Sequence, residues 1–314
     1  MKTALVTGIT GQAGKYLTEL LLARQYKVYG LVRRASTVNT SRIAHLLDEI
    51  ELISGDLTDE SSLIHALEKS KPDEVYNLAA QSFVPVSWEQ PLLTTEVTGV
   101  GVMKLLSAIK IVNPKIKFLQ SSSSEMFGLV REIPQTEMTP FHPRSPYGIA
   151  KTFAHHTAIN YRESYGMFAS TAICFNFESV DRGLEFVTKK ITHGVRKIVR
   201  GEAKNLFLGN IDAKRDWNFV GDTVRAMHMI LQHDKPDDFV VATGETHSVK
   251  EFLEITFNHV GLDYRDHVMI DPKLIRPAEV PLLQGDSTKL RKTLGWEPNV
   301  KFYDLVTMMI EAEL

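Results

Sequence analysis

The sequence predicts a doubly wound parallel α/β sheet followed by a smaller, mostly C-terminal substrate lobe. Three observations carry that prediction. Short apolar runs alternate with helix-period stretches through residue 175, the pattern of parallel strands joined by crossover helices. The first run leads straight into Gly8-Ile9-Thr10-Gly11-Gln12-Ala13-Gly14, a glycine-rich turn between a strand and a helix. After residue 176 the alternation loosens, and Pro-containing joints appear at Asp271-Pro272, Arg276-Pro277 and Glu297-Pro298.

In chain order, residues 3–7 read as a short buried strand, 8–14 as the turn, 16–23 as a helix and 27–32 as a second strand. Further strands are expected over 50–53, 74–78, 117–119 and 170–175, with helices over 61–68, 97–111 and 147–165 between them. The segment 183–201 contains a basic helix, followed by a loop with Leu208-Gly209-Asn210. A helix over 221–232 and a strand over 239–242 return to the first lobe. Residues 1–175 with about 218–244 then form a nucleotide-binding lobe. About 176–217 with 245–314 form the lobe that closes over a substrate. Right-handed crossovers put the carboxyl ends of the strands, and the ligand, on one edge.

The chain has 314 residues, 43% apolar and 24% charged, with a formal net charge of -2. It has no long basic block, so no nucleic-acid partner is expected. The single cysteine, Cys174, lies in an apolar run and reads as core packing. It excludes an internal disulfide and a Cys-based zinc cluster. The eleven histidines show no metal-ligand spacing, so no metal is expected. His142 and His247 read as turn or cap residues. No apolar run approaches the ~20 residues of a membrane helix, and the N-terminus shows no signal-peptide pattern. A cytoplasmic enzyme without a membrane partner is the expectation.

Gly8, Gly11 and Gly14, with Thr10 and Gln12 in the same turn, make the candidate phosphate site. Gly8 allows the tight turn, Gly11 lets the backbone approach a pyrophosphate, and Gly14 lets helix and strand pack closely. The helix N-terminus adds free N–H groups and partial positive charge. The second strand ends at Arg33-Arg34-Ala35-Ser36. An NAD site places a carboxylate there, whereas arginine accommodates a 2′-phosphate, so Arg33, Arg34 and Ser36 predict NADP. Exposed arginines at a strand end are the bland alternative. Asp56 and Leu57 follow the third strand, where a carboxylate and a backbone amide can read adenine. Leu78-Ala79-Ala80-Gln81 ends the fourth strand, where small residues let the backbone pass close to a dinucleotide.

Tyr147 and Lys151 stand four apart in an expected helix and share one face. An ammonium beside a phenol favours the phenolate, so the pair is expected to hold the Tyr147 pKa down and ready it to take a hydroxyl proton. Alone, the spacing also fits a solvated helix face. Upstream, the serine run 121–124 and Glu125 close a strand-like segment. Glycine loop, hydroxyl cluster and Tyr/Lys pair in that order point to a redox site.

These residues resemble the extended short-chain dehydrogenase/reductase superfamily, whose nucleotide lobe is a Rossmann fold. Within it, nearly the whole chain is similar to the GDP-mannose 4,6-dehydratases. The glycine loop and Pro143-Arg144-Ser145-Pro146-Tyr147-Gly148-Ile149-Ala150-Lys151 identify the superfamily. The stretches 208–217, ending in Arg215-Asp216-Trp217, and 242–249 are more specific, as are Ser124-Glu125-Met126-Phe127-Gly128 and Arg276-Pro277-Ala278-Glu279. The resemblance implies NADP and a GDP-mannose or related nucleotide-sugar substrate. Tyr147, with its pKa lowered by Lys151 and the cationic nicotinamide, would deprotonate the C4 hydroxyl. Ser123 would bind the C4 oxygen. Glu125 would take the C5 proton as water leaves C6. Cofactor contacts fall to Tyr147 and Lys151 besides the residues above. Substrate contacts fall to Ser82, Ser123, Ser124, Glu125, Asn176, Lys190, Leu208, Arg215, Arg276 and Glu279. Inter-lobe salt bridging is the other reading of those charges. A homodimer or homotetramer is implied, with helices 97–111 and 147–165 as the dimer face and 34–42 reaching a neighbouring subunit in tetramers.

The chain departs from that pattern at Phe177, where the family carries histidine, at Val180, where it carries proline, and at Asn218, where it carries glycine. These positions border the expected sugar site and leave the exact hexose open. A reductase or epimerase on a related sugar nucleotide, or a catalytically silent dinucleotide-binding protein, are the competing readings.

Overall fold

The computed structural model describes residues 1–37, 39–275 and 277–314. In chain order its strands begin with β1 (Thr3–Thr7), β2 (Lys27–Val32), β3 (Ile50–Ser54), β4 (Glu74–Asn77), β5 (Lys117–Ser123), β6 (Ala169–Cys174) and β7 (Asn176–Glu178). They continue with β8 (Leu206–Leu208), β9 (Lys214–Arg215), β10 (Trp217–Phe219), β11 (Asp238–Val241), β12 (His247–Ser248), β13 (Val268–Ile270) and β14 (Leu282–Leu283). The first helices are α1 (Gln12–Ala23), α2 (Glu60–Ser70), α3 (Val86–Glu89), α4 (Pro91–Thr95), α5 (Gly101–Val112) and α6 (Pro146–Tyr165). After them come α7 (Val187–Val199), α8 (Val220–Gln232), α9 (Val249–His259), α10 (Thr288–Leu294) and α11 (Phe302–Glu311).

Among the described residues seven strands form one parallel sheet in the order β11-β6-β5-β4-β1-β2-β3. The chain runs outward from β1 to β3, then restarts at β4 on the other side of β1. That reversal leaves a crevice at the carboxyl ends of β1 and β4, where ligands bind in such sheets. Both faces of the sheet are buried, as parallel sheets require. Strand periodicity sends Ala4 and Val6 to one face and Leu5 to the other. The first face packs against α1 and α8 through Leu17, Leu21, Val224 and Met227, and the second against α2, α5 and α6 through Leu67, Leu105, Leu106 and Ala158. Each such fully buried leucine contributes roughly 1.5–3 kcal/mol.

Helix boundaries follow local chemistry. Asp59 caps α2 by accepting from Ser61 N, and Ser145 caps α6 by accepting from Gly148 N at 3.0 Å, with Pro146 as its first residue. Gly166, at φ +65°, ends α6 in the left-handed conformation that glycine adopts freely.

Three expectations need correction. β5 runs through Ser123 rather than stopping at Leu119, because Ser121, Ser122 and Ser123 pair with Ala172, Ile173 and Cys174 of β6. Residues 288–296 pack with the first lobe, since Leu290 and Trp296 join the α1/α8 core and Trp296 Nε1 donates to Asp222 O at 3.0 Å. Among the described residues one helical stretch, Pro91–Val112, is long and apolar enough by length and composition to cross a membrane, and half of its most apolar window is buried within the fold. The sequence shows no continuous apolar run there because Glu96, Lys104 and the threonines interrupt it. Its buried side chains, Val102, Leu105, Leu106 and Ile109, face the sheet.

The second lobe is built from β7 paired with β10, β9 between β12 and β14, and β8 paired with β13. Its core joins Ile191 and Val195 of α7, Phe252 and Phe257 of α9, and Leu305 and Met309 of α11 around Trp217.

Candidate functional site

A chain of buried polar groups ties the strand ends at the crevice. Thr7 Oγ1 donates to Asn77 Oδ1 at 2.6 Å and accepts from Ala79 N at 3.1 Å. Asn77 Nδ2 donates to Gln120 Oε1 at 2.8 Å. All three side chains are buried and paired, so the carboxyl ends of β1, β4 and β5 are held as one unit.

The glycine loop fits a diphosphate. Gly8 has φ +70°, and a Cβ there would sit 2.8 Å from Ala79 N; at Gly14 it would sit 2.4 Å from Gly8 O. The N-terminus of α1 has no side-chain cap and no acidic residue in its first turn, leaving its N–H groups for an anion. Thr10 is half-buried in this turn. Leu78, Ala79, Ala80 and Gln81 follow β4 across the crevice from it, and Gln81 N donates to Thr98 Oγ1 at 3.0 Å. Arg33, Arg34 and Ser36 are exposed just past β2. Asp56 Oδ1 accepts from Thr58 N and Oγ1, while the Leu57 side chain is buried in the sheet core. Gln12 differs from expectation in what its side chain does. Its carboxamide donates to Phe177 O at 2.9 Å and accepts from Ser179 Oγ at 2.7 Å.

Ser123, Glu125, Tyr147 and Lys151 come together at the carboxyl end of β5. A Cβ at Gly148 would lie 2.7 Å from Glu125 O, so glycine lets the first turn of α6 sit directly on the 124–126 turn. Ser123 Oγ accepts from Glu125 N at 3.2 Å and hydrogen-bonds with the Tyr147 hydroxyl. Lys151 Nζ lies 5.8 Å from the Tyr147 ring centroid and donates to Ser121 O at 2.7 Å.

The expected lowering of the Tyr147 pKa does not hold in this structure. Burial of the phenol pushes it well above its ordinary value, and the Glu125 charge pushes the same way. The Ser123 hydrogen bond and the Arg182 charge act against that. Burial also pulls Lys151 down to about 8, which weakens the ammonium that spacing alone credits with lowering Tyr147. Cys174 is buried and its thiol is pushed up to about 12 by burial.

These groups line a cavity of about 330 Å³ between the lobes. Leu78, Ala80, Ser82, Ser123, Ser124, Glu125, Asn176, Lys190, Leu208, Arg215 and Glu279 all contribute to its wall. Arg276 lies outside the described residues. Of the departures, Phe177 lines the cavity, and Asn218 is buried beside it in the β7–β10 pair. Val180 sits in a turn closed by Arg182 N donating to Ser179 O at 3.1 Å.

Sequence reasoning missed Arg182, Phe83 and Phe186. The Arg182 guanidinium stacks 3.5 Å from the Phe186 ring centroid and pairs with buried Glu178 at 3.1 Å. Phe186 meets Phe83 edge-to-face at 5.6 Å, joining the two lobes across the cavity. An aromatic on each side of an arginine-bearing turn leaves no periodic signal.

The two histidines are structural. His142 N donates to Met126 O and its ring accepts from Arg131 at 2.9 Å. His247 sits 3.0 Å from Glu251 and stacks on Phe302. Among the described residues no group of His, Cys, Asp and Glu is arranged to hold a metal ion.

A family model described as GDP-mannose 4,6 dehydratase matches residues 5–309. GDP-mannose 4,6 dehydratase 1 of Arabidopsis thaliana is 52% identical, covering 100% of this chain and 90% of the relative. The Homo sapiens GDP-mannose 4,6 dehydratase is 47% identical over 99% of this chain and 91% of its own. A solved UDP-glucose 4-epimerase of Thermus thermophilus in complex with NAD superposes with a TM-score of 0.86 at 25% identity, covering 99% and 98% of the two chains.

Proposed function

The chain belongs to the GDP-mannose 4,6-dehydratase family, and from that premise we propose how its own residues divide the reaction and which cofactor they take. It is an enzyme that dehydrates GDP-mannose to the 4-keto-6-deoxy sugar nucleotide. The observation that carries the assignment of roles is the gathering of Ser123, Glu125, Tyr147 and Lys151 on the wall of one cavity.

Tyr147 is the base for the C4 hydroxyl. Its raised pKa keeps the phenol protonated, and so unable to accept a proton, until nearby positive charge draws that pKa down. A nicotinamide held beside Tyr147 and Lys151 would supply that charge and the hydride chemistry between C4 and C6. Ser123, hydrogen-bonded to Tyr147, holds the C4 oxygen. Lys151, anchored on Ser121 O, positions the tyrosine and a cofactor ribose. Glu125 removes the C5 proton, which the 4-ketone acidifies, and protonates the departing C6 oxygen. Asn176, Lys190, Arg215 and Glu279 face the sugar nucleotide, with the two cations set against its diphosphate.

A nicotinamide dinucleotide is the cofactor, and we propose NADP. Exposed Arg33 and Arg34 follow β2, and residues 33–37 offer no carboxylate for a ribose 2′-hydroxyl. A homodimer is proposed through α4, α5 and α6, where Leu92, Leu93, Met103, Ile149 and Phe153 stand exposed.

Mass spectrometry of a sugar-nucleotide panel incubated with trace NADP or trace NAD tests this reading. GDP-mannose is expected to lose one water with no net change in NADPH, and faster with NADP. Glu125→Gln is expected to bind NADP and form at least ~100-fold less dehydrated product. Water loss from another sugar nucleotide only, or near-normal product from that variant, would overturn the corresponding assignment.

A further inference from the structure

We propose that the side chains of Gln12 and Lys15, although they open the helix of the dinucleotide loop, are positioning residues for the sugar-nucleotide wall of the cavity. The inference rests on the dehydratase reading above and concerns the strap formed by residues 176–182.

The Gln12 carboxamide is buried and its two ends are taken, one by Phe177 O at 2.9 Å and one by Ser179 Oγ at 2.7 Å. Turning it toward a phosphate would break both bonds and leave two buried groups unpaired. One helical turn on from Gln12, Lys15 Nζ pairs with Asp181 Oδ2 at 2.7 Å, with about a fifth of each side chain exposed. Arg42 Nε donates to Asp181 O at 2.9 Å. The strap is tied internally as well, with Asp181 N donating to Ser179 Oγ and Arg182 N to Ser179 O, each at 3.1 Å.

On its other side the same strap supplies Asn176, Phe177 and Arg182 to the cavity wall. β7 within it pairs with β10, so its position is passed on to Trp217. Valine at position 180 gives the turn no fixed backbone dihedral, and the ties from α1 supply the rigidity instead. The start of α1 thus faces phosphates with its backbone and fixes the sugar wall with its side chains. Lys15 and Asp181 are expected to matter for the sugar nucleotide more than for the dinucleotide.

The test uses the full-length enzyme saturated with NADP, as wild type, Lys15→Gln, Asp181→Asn and the double variant. Each single change is expected to raise KM for GDP-mannose about tenfold, the scale of one charge-assisted hydrogen bond. The changes in kcat and in NADP affinity by calorimetry should stay within about twofold. The double variant should be no worse than either single one, because both remove the same contact. Unchanged KM, a fall in NADP affinity equal to the rise in KM, or additive losses would each overturn the proposal. NADP binding also reports that each variant is folded. If the wild type fails to turn over GDP-mannose, the functional reading fails separately, and GDP affinity by calorimetry carries the same comparison.

Discussion

Lys151 spends its ammonium on a backbone carbonyl. With Nζ 2.7 Å from Ser121 O and the side chain buried, desolvation holds its pKa near 8. Below pH 8 both folded and unfolded chains carry the proton, and the cost of burying the charge is present in full. From about pH 8 upward the folded protein releases the proton while the unfolded chain keeps it, so this residue raises stability as pH rises toward 10.5. Tyr147, with its raised pKa, works in the opposite direction only above its ordinary value of 10. Chemical denaturation of the cofactor-free protein at about pH 7.5 and 9.5 should show the wild type gaining roughly 1–2 kcal/mol relative to Lys151→Met. No relative gain would mean that Lys151 titrates as an ordinary lysine. The spacing of Tyr147, Lys151, Ser123 and Glu125 was legible in the sequence because it is local. The sign of the Tyr147 shift was not, because desolvation depends on what closes over the phenol from β5, β6 and the 176–182 strap.

At the scale of elements, the junction of β9 and β10 depends on one carboxylate. Asp216 is buried and accepts from Thr243 N at 2.9 Å, Thr243 Oγ1 at 2.7 Å, Gly244 N at 2.9 Å and Gly285 N at 3.4 Å. It fastens the strands that present Arg215 and Trp217 to the loop after β11 and the segment after β14. Burial lifts its pKa to about 6, and those donors keep it from rising further. An amide in its place turns one acceptor into a donor facing N–H groups. Asp216→Asn should lower unfolding free energy by about 1–3 kcal/mol and raise KM for GDP-mannose through Arg215. Unaltered stability by denaturant titration would refute the assignment. The long alternating elements, β1 to β6 with α1, α2, α5 and α6, could be read from periodicity. Strands such as β9, β12 and β14 could not, since two residues hold no period and exist only through partners distant in sequence. The return of α10 to the first lobe was equally invisible, being fixed by where Leu290 and Trp296 find a core.

Across the whole molecule, the apolar surface is unevenly spent. The sheet faces and the α7, α9 and α11 core bury their side chains fully, yet Leu92 is 84% exposed and Ile149 55% exposed. They stand on α4 and α6, which pack against each other, with Phe153 one turn beyond Ile149. A face of that kind on the outer layer of the sheet costs solubility unless it is covered, and in the proposed homodimer a second copy of the chain would cover it through a two-fold contact. The same helix α6 carries Tyr147 and Lys151 on its buried side, so the proposed contact on its outer side would steady the proposed catalytic pair. Leu92→Arg with Ile149→Arg would place like charges across such a contact. Sedimentation should then show the dimer dissociation constant rising about 100-fold or more, with kcat falling in the monomer at low concentration. A wild type that sediments as a monomer, or a variant whose mass is unchanged, would assign this face to something other than self-association.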